Sequence, residues 1–285
     1  MKDVVCDVHI TNGDKLLFEN ITKLDVVNYY EKVAEKMLPF LQKRLLSVVR
    51  LHSQNLQEKF FKKHPKLQEE GNFFEVTNEK GKTKNYFYIT TKKQLITQAQ
   101  LGTIEFHTWG SSIPKINSPD VMVFDLDPDE NLSLEKLRQG VKDLKSILDT
   151  LGLKSFLKTS GGKGYHIVLP FKKSDWNSFS SFSKNVAVLM EQKWKTRYTS
   201  NIRKEKRKNR IFIDWIRNSK GATSVAPYSL RAKLGAGVSV PIFWNELDKI
   251  APDELKMQDV LKRLDENPWK DFFKVKQKLI CKKWC

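Results

Sequence analysis

The spacing of apolar residues divides the chain into short strands and a few amphipathic helices. From Asp120 onward it predicts, in order, a strand at VMVFDLD, a helix from Ser133 to Gly152, strands at SFLKT and YHIVL, a helix from about Ser174 to Arg197 and a last strand from Ile211 to Trp215. The order β-α-β-β-α-β is that of the ferredoxin-like unit, in which two helices cover one face of a four-stranded antiparallel sheet. In this unit the first strand lies between the third and the fourth.

The N-terminal part of the chain is predicted as a separate α/β region. A helix begins at about Lys23, where Thr22 and Asp25 resemble a capping box, and Pro39 marks its end. The remaining elements are a strand at Leu46–His52, a hairpin built from FFEV and NYFYIT around Gly81, a polar helix near Thr91–Leu101 and a strand at TIEFHTWGS. Together the two regions predict an α+β fold.

Strand alternation places four polar side chains on one face of the predicted C-terminal sheet. If the apolar residues of VMVFDLD face the helices, Asp125 and Asp127 point to the open face, together with His166 and Asp214 from neighbouring strands. The Cα atoms of Asp125 and Asp127 are then roughly 6.6 Å apart, so their carboxylates can lean together over hard cations. With Asp214 as a third ligand, this donor set suits a two-metal site for phosphoryl transfer.

Asp-x-Asp followed by proline is, by itself, more typical of a strand end with a solvated turn. Asp214 on the predicted neighbouring strand, the SGGKG stretch and the basic surroundings together favour the metal site. His166, beside these carboxylates, is expected either to contact a phosphate oxygen or to assist proton transfer.

The stretch TSGGKGYHIVLP, Thr159 to Pro170, combines three glycines with a lysine and a histidine. It lacks the P-loop spacing, because only Gly161 and Gly162 precede Lys163, and it lacks the Rossmann pattern, because a strand follows it. We interpret it as a hairpin whose glycines let the backbone approach a phosphate group.

Two aromatic features have competing interpretations. His107, in EFHTWG, is as consistent with packing beside Trp109 as with a nucleotide contact. Phe60 and Phe61 precede two lysines, a combination that stacks bases while holding phosphates. Core packing is the ordinary explanation for such a pair.

Composition narrows the class of partner. The chain has 285 residues with 51 Lys+Arg against 33 Asp+Glu, a formal charge of +18, which favours a polyanion. Nucleic acid is favoured over a membrane, because no apolar run approaches the roughly 18 residues of a spanning helix. The first residues do not resemble a signal peptide, and Cys6, Cys281 and Cys285 form no metal-like pair, so we expect a reduced, cytoplasmic protein.

Four motifs give this chain a family resemblance. VFDLDP, TSGGKGYH, RIFIDWIRN and GATSVAPYSLRA occur in the order seen in the polymerase domain of bacterial DNA ligase D, a member of the archaeo-eukaryotic primase superfamily. GDKLLF and TKLDVVNYYEKVAEKMLPFL resemble its opening segment. The resemblance implies one primase-polymerase domain over residues 1–285, with a DNA-end-binding module at 1–112, a palm-like catalytic module at 113–240 and a helical segment at 241–285.

The resemblance also implies roles for individual residues. Asp125, Asp127 and Asp214 would be the catalytic ligands of two divalent cations, Mn²⁺ or Mg²⁺. The incoming NTP or dNTP would be held by Ser160, Lys163, His166, Arg231, Arg207, His107 and Arg50. Lys15 and Lys23 would grip the 5′-phosphate of gapped or overhanging DNA, and Phe60 and Phe61 would stack on a template base. Val49 stands where relatives carry a second basic residue beside Arg50, which leaves one contact in question.

The function implied is template-directed nucleotide addition at double-strand breaks, in the nucleoid of a bacterial cell, together with the Ku end-binding protein and a DNA ligase. No ligase or phosphoesterase segment lies within these residues, which leaves a stand-alone member and an excised piece as alternatives. A primase or primase-polymerase of replication or damage tolerance is a second hypothesis. A non-catalytic DNA-end-binding module is a third, and the three carboxylates argue against it, because without metals they would repel a phosphate backbone.

Overall fold

The computed structural model describes residues 3–65, 71–78 and 80–279, and the cysteine tail with Cys281 and Cys285 lies outside them. The chain divides into two compact units. The first comprises Met1–Trp109, Val225–Ser239 and Leu255–Glu266. The second comprises Gly110–Ser224, Val240–Glu254 and Asn267–Cys285.

The N-terminal part of the first unit consists of short strands and two helices. In order these are β1 (Asp3–Val5), β2 (Val8–Ile10), β3 (Leu16–Phe18), β4 (Ile21–Thr22), α1 (Lys23–Leu41), β5 (Leu46–Arg50), β6 (Phe60–Lys62), β7 (Asn72–Thr77), β8 (Thr83–Tyr88), α2 (Lys92–Gln100) and β9 (Thr103–Trp109). Strands β9, β5, β8 and β7 lie side by side in one sheet, and β6 pairs with β5. Strands β1 and β2 pair with each other, as do β3 and β4.

Helix α1 begins where the sequence predicts and ends later. The Thr22 hydroxyl accepts a hydrogen bond from the Asp25 amide, and the Asp25 carboxylate accepts one from the Thr22 amide, which completes the capping box. The prediction that Pro39 ends the helix is wrong, because the helix continues to Leu41. In the last turn proline removes a single backbone hydrogen bond, and its fixed φ is compatible with a helix.

Most of the elements that follow belong to the second unit, and the last ones contribute to both units. They are β10 (Val121–Pro128), α3 (Leu134–Thr150), β11 (Phe156–Thr159), β12 (Tyr165–Pro170), α4 (Trp176–Lys193), β13 (Tyr198–Thr199), β14 (Ile211–Asp214), β15 (Thr223–Val225), β16 (Pro241–Ile242) and α5 (Met257–Lys262). Strand β15 extends the sheet of the first unit beside β9. The sheet of the second unit has the order β13-β14-β10-β12-β11-β16.

The ferredoxin-like prediction is confirmed. Within the sheet of the second unit, β10 lies between β12 and β14, and β11 lies beyond β12, all antiparallel to their neighbours. Two short strands that the sequence pattern does not predict extend this core. Strand β13 runs parallel to β14 at one edge, and β16 pairs with β11 at the other.

Several element ends differ from prediction. Strand β14 stops at Asp214 rather than Trp215, because the chain enters a 3₁₀ turn at Ile216–Asn218. Strand β5 ends at Arg50 and not at His52. Helix α4 is shorter at both ends than predicted. At its start the Asp175 side chain caps it by accepting from the Ser178 amide at 2.8 Å. Among the residues that the structure describes, no helix is both long and apolar enough to cross a membrane.

The core of the second unit lies between its sheet and the helices α3 and α4. Both helices contact β10. The sheet side chains on this side are fully buried: Met122, Phe124, Leu126, Ile167, Leu169 and Ile213 all have 0% exposure. Because side chains alternate along a strand, the residues between them belong to the opposite face of the sheet.

Candidate functional site

Three of the predicted site residues lie side by side on the face of the second unit's sheet that is turned away from helices α3 and α4. Asp125 on β10 lies directly opposite His166 on β12 and directly opposite Asp214 on β14. Residues directly opposite each other on paired strands share a face, so the three side chains lie on one side of the sheet. Asp127 follows on the same face, opposite Phe212. The structure therefore confirms that these residues share a face. The prediction that this face is open is wrong, because its apolar residues Val123, Val168 and Phe212 are only 5%, 3% and 2% exposed. We call Asp125, Asp127 and Asp214 the carboxylate row.

Two arginines contact the carboxylate row. Arg217 Nε lies 3.0 Å from Asp214 Oδ2 and 3.7 Å from Asp125 Oδ2. Arg207 Nη1 lies 3.2 Å from Asp127 Oδ2, and its guanidinium stacks on the Phe212 ring at 3.8 Å. Each of the three carboxylates is thus within ion-pair distance of a guanidinium.

Sequence reasoning assigned a role to Arg207 but missed Arg217. The missed residue lies in the quoted motif RIFIDWIRN, three positions after Asp214. The 3₁₀ turn Ile216–Asn218 that follows β14 brings it back over the end of the strand, because residues three apart in such a turn lie on one side. Asp214 Oδ1 accepts from the Ile216 amide at 3.1 Å, which stabilises the same turn.

The electrostatics of the row favour a bound cation. Burial raises the pKa of Asp214, the charges of Asp125 and Asp127 raise it further, and Arg217 opposes the rise without cancelling it. His166 Nε2, on a buried ring, lies 3.4 Å from Asp125 Oδ1. The row therefore concentrates negative charge in a partly desolvated position.

The residues of the row fit divalent metals in donor type. All three are carboxylates, the oxygen ligands that hard cations prefer. In the described part of the chain, no three His, Cys, Asp or Glu side chains are already grouped as a metal site. The carboxylates are turned toward Arg217 and Arg207 instead, so metal binding requires those side chains to exchange partners.

The glycine-rich stretch is a tight hairpin between β11 and β12, as predicted. The Ser160 hydroxyl oxygen accepts hydrogen bonds from the amides of Gly162 at 3.1 Å and Gly164 at 3.2 Å. Gly161 has a φ of 67°, which favours glycine. Lys163 lies at the exposed tip, with its Nζ 3.0 Å from Glu130 Oε1. The turn thus carries a solvent-exposed ammonium next to the strand with Asp125.

The hairpin approaches β10 closely at Gly164. A Cβ atom at this position would lie 2.3 Å from the carbonyl oxygen of Leu126, the residue between Asp125 and Asp127. Only a residue without a side chain permits this approach. The position of the hairpin is therefore fixed by the strand that carries two of the three carboxylates.

His107 and Arg231, both in the first unit, converge on a residue that sequence reasoning missed. His107 Nε2 lies 2.7 Å from Glu105 Oε2, and Arg231 Nε lies 3.1 Å from the same oxygen. The Ala232 amide donates to Glu105 Oε1 at 2.8 Å. We call Glu105, His107 and Arg231 the Glu105 cluster. The pattern E-x-H on a strand was the available signal, because residues two apart share a face.

Phe60 and Phe61 are not core residues. Their exposures are 40% and 64%, so the core-packing explanation of this pair is wrong. The Phe61 ring lies 5.8 Å from the His107 ring between centroids, and Phe60 packs against His52 at 5.6 Å. The two phenylalanines present open aromatic surface on β6.

The basic residues of the first unit differ in exposure. Arg50 is buried, with its Nε 3.3 Å from Thr103 Oγ1 and its Nη2 3.1 Å from Gln98 Oε1, so its guanidinium is held inside the unit. Lys23, the first residue of α1, donates to the Thr11 carbonyl at 2.7 Å. Burial lowers the pKa of Lys23, and the charge of Lys15 lowers it further. Lys15 and Lys23 therefore bring two ammonium groups close together.

A pocket adjoins this pair of lysines. It has a volume of about 620 Å³ and is lined by residues of β1, β2 and the following turn: Asp3, His9, Ile10, Thr11, Asn12, Gly13 and Asp14. Thr11, which binds Lys23 through its carbonyl, is part of the lining. The lining itself carries the carboxylates of Asp3 and Asp14, so the positive charge beside the pocket comes from Lys15 and Lys23.

Comparison with known proteins places this chain in a family. The family model described as LigD, primase-polymerase domain, matches residues 22–273. The multifunctional non-homologous end joining protein LigD of Pseudomonas aeruginosa is 33% identical over 282 residues, which cover 95% of this chain and 34% of that protein. The bifunctional LigD of Bacillus subtilis is 27% identical over 285 residues, covering 96% of this chain and 45% of that protein. The chain thus spans between a third and a half of the length of these relatives.

A solved structure supports the same assignment. The polymerase domain of Mycobacterium tuberculosis ligase D, determined in complex with DNA, matches with a TM-score of 0.85 and 30% sequence identity. The match covers 93% of this chain and 97% of that one, so both units of the fold take part in it. The chain belongs to the LigD primase-polymerase domain family.

Proposed function

We propose that the chain is a template-directed nucleotidyltransferase that fills gaps and extends DNA ends during non-homologous end joining. The observation that carries the proposal is the carboxylate row on one face of a ferredoxin-like sheet, in a chain that belongs to a polymerase domain family. Its relatives are named for non-homologous end joining, and the similar solved structure contains DNA. In the proposed reaction the 3′-hydroxyl of a primer displaces pyrophosphate from an incoming nucleoside triphosphate.

Polymerases in general use nucleotides and divalent cations, and here Asp125, Asp127 and Asp214 would hold two such cations, Mn²⁺ or Mg²⁺. When bound, a pair of metals supplies charge stabilisation at the attacking and leaving oxygens. Arg217 and Arg207 would neutralise the carboxylates before the cations arrive. Once they leave the aspartates, the same guanidiniums would be available to contact the phosphates of a nucleotide.

The remaining roles are divided between the two units. In the second unit, Ser160, Lys163 and His166 would contact the triphosphate. In the first unit, His107 and Arg231 would contact the incoming nucleotide, and Phe60 and Phe61 would stack on a template base. Arg50 would need to leave its buried partners to act as a nucleotide contact, so we propose a supporting role for it.

The assay that tests the proposal is extension of gapped and overhanging DNA. We expect the purified protein to add the nucleotide complementary to the template, with Mg²⁺ or Mn²⁺ and with either ribo- or deoxynucleotides, and to stop when the cation is chelated. Products formed without a primer would favour a primase. DNA binding without any extension would favour a non-catalytic end-binding module and would contradict the proposal. Addition of Ku and a DNA ligase tests whether they act as partners.

Recognition of a 5′-phosphate predicts a selective effect of Lys15 and Lys23. We expect Lys15→Ala and Lys23→Ala to weaken binding to gapped DNA with a downstream 5′-phosphate roughly tenfold each, the value of a charge-assisted contact. Binding to the same DNA with a 5′-hydroxyl should change much less. Fluorescence anisotropy on the two DNAs measures the difference.

Lys32→Ala is the control for this pair, because Lys32 is an exposed lysine on α1, the helix that begins at Lys23. It removes one positive charge and should reduce binding to both DNAs equally and slightly. Equal losses for phosphorylated and unphosphorylated DNA in the Lys15 and Lys23 variants would eliminate the end-recognition role.

A further inference from the structure

Glu105 is a buried carboxylate in the middle of strand β9 that contacts two nucleotide-binding candidates, His107 and Arg231. It is 4% exposed. One of its oxygens accepts from both His107 and Arg231, and the other accepts from the amide of Ala232, the residue next to Arg231. A buried charge is costly unless it is paired and hydrogen-bonded, and this one is paired on both oxygens.

We propose that Glu105 is a positioning residue for nucleotide addition, which holds His107 and Arg231 in the orientation that receives the incoming nucleotide. The inference rests on the proposed function, because it takes the nucleotide contacts of these two residues from there. Glu105 would act through them and would touch neither the nucleotide nor the DNA.

The charge of Glu105 rules it out as a proton donor. Burial would raise the pKa of this carboxyl, but the hydrogen bond from His107, the charge of Arg231 and the bond from the Ala232 amide outweigh it and lower the pKa to about 2. The group is therefore ionised at every pH at which an enzyme of this kind is assayed. An ionised carboxylate can only accept hydrogen bonds, so its contribution is to orient donors.

The orientation of His107 follows from this charge. Since Glu105 can only accept, His107 Nε2 must carry the proton of the 2.7 Å contact, which fixes both the ring plane and the protonated nitrogen. Both residues lie on β9, which pairs with β5 through Val49 opposite Glu105 and Ser47 opposite His107. The pair is thus built on an interior strand that holds it in place.

The orientation of Arg231 is fixed at two points. Its side chain is held through Nε, and the main chain beside it is held through the Ala232 amide, both on the same carboxylate. The Ala232 carbonyl in turn accepts from Lys59 Nζ at 2.9 Å. Lys59 precedes Phe60 and Phe61, and Phe61 packs on the His107 ring. The Glu105 carboxylate therefore connects the two phenylalanines proposed to stack on the template base with the residues proposed to contact the nucleotide.

The test is steady-state extension of gapped DNA by the Glu105→Gln variant, with nucleotide concentration varied. Glutamine keeps the shape but has only one accepting atom, so it cannot bind the donors on both sides. We expect the KM for the nucleotide to rise at least tenfold and kcat to change less than threefold. The affinity for gapped DNA without nucleotide, measured by anisotropy, should stay within twofold of the wild type.

The control is Asp143→Asn in the second unit. Asp143 is likewise a buried carboxylate, paired with Arg197 at 2.8 Å and accepting from the Tyr198 hydroxyl, but it lies on α3. Its variant should lose thermal stability without changing the KM for the nucleotide. A Glu105→Gln enzyme with wild-type KM would overturn the inference, and so would an Asp143→Asn enzyme whose KM rises as much as that of Glu105→Gln at the same loss of thermal stability.

Two further comparisons, one with Glu105→Asp and one in a variant that lacks both partners, keep the inference testable if Glu105→Gln folds poorly. Glu105→Asp retains the charge on a shorter side chain and should raise the KM less than Glu105→Gln does. In a variant that already carries Arg231→Gln and His107→Asn, replacing Glu105 should raise the KM for the nucleotide by less than a further twofold. The reason is that both side chains that Glu105 orients are already absent. A full additional tenfold rise there would overturn the inference. Wild-type protein without extension activity would instead contradict the proposed function, so the two failures are distinguishable.

Discussion

Replacing Asp125 by Asn is expected to reduce primer extension about a thousandfold while leaving DNA binding intact. Loss of a carboxylate ligand removes several kcal/mol of charge stabilisation in the reaction, and about 4 kcal/mol corresponds to a factor of a thousand. Asparagine preserves the shape of the side chain in the middle of the row. Single-turnover extension of gapped DNA measures the rate, and anisotropy measures the affinity.

Folding is not expected to suffer from this change. Burial raises the pKa of Asp214, and the negative charges of Asp125 and Asp127 raise it further. The three carboxylates therefore repel one another, and removing the charge of Asp125 relieves part of that repulsion. The control is Asp149→Asn, which removes an exposed carboxylate from α3 on the covered side of the sheet. It should extend primers at the wild-type rate. Extension by Asp125→Asn at a comparable rate would exclude the carboxylate row as the catalytic site.

Replacing Gly164 by Ala is expected to impair both stability and extension. The added Cβ would lie 2.3 Å from the Leu126 carbonyl oxygen, so the hairpin must move away from β10. Overpacking of this kind costs roughly 1–3 kcal/mol of unfolding free energy. Because the displaced hairpin carries Lys163 and continues into His166, we expect extension to fall by at least tenfold. Urea unfolding and gapped-DNA extension provide the two measurements.

Two other glycines separate this clash from general effects of glycine replacement. At Gly71 a Cβ would make only ordinary contacts, the nearest at 3.7 Å. At Gly152 it would meet nothing within 4 Å, but the φ of 70° would strain an alanine. Gly71→Ala should be neutral, and Gly152→Ala should lose stability without losing activity. If Gly164→Ala behaves like Gly71→Ala, the hairpin position does not depend on this close approach.

The sheet of the second unit was largely predictable because it obeys short-range rules. Alternation in VMVFDLD separates helix-facing residues from carboxylates, and the register places His166 and Asp214 opposite Asp125 as that alternation requires. The helix stepping predicts α3, and the glycines predict a hairpin. The alternation, the helix stepping and the hairpin turn depend on neighbours within a few residues, and such patterns can be recognised in a single sequence.

The residues that sequence reasoning missed depend on turns and on distant partners. Arg217 reaches the carboxylate row because of a 3₁₀ turn that ends β14 one residue early. Glu105 contacts Arg231 across 126 positions of the chain, a separation that no local pattern encodes. The exposure of Phe60 and Phe61 likewise depends on where β6 lies against β5, and the sequence motif is the same whether the pair is buried or open.

The short strands at the edges of the second unit's sheet also limit association with other chains. An unpaired sheet edge can recruit a strand from another molecule, and proteins limit this with short edge strands and with proline. Strands β13 and β16 have two residues each, and β16 begins with Pro241, which has no amide hydrogen to donate. The strands that carry the aspartates are therefore enclosed on both sides, and the sheet offers little template for edge-to-edge aggregation.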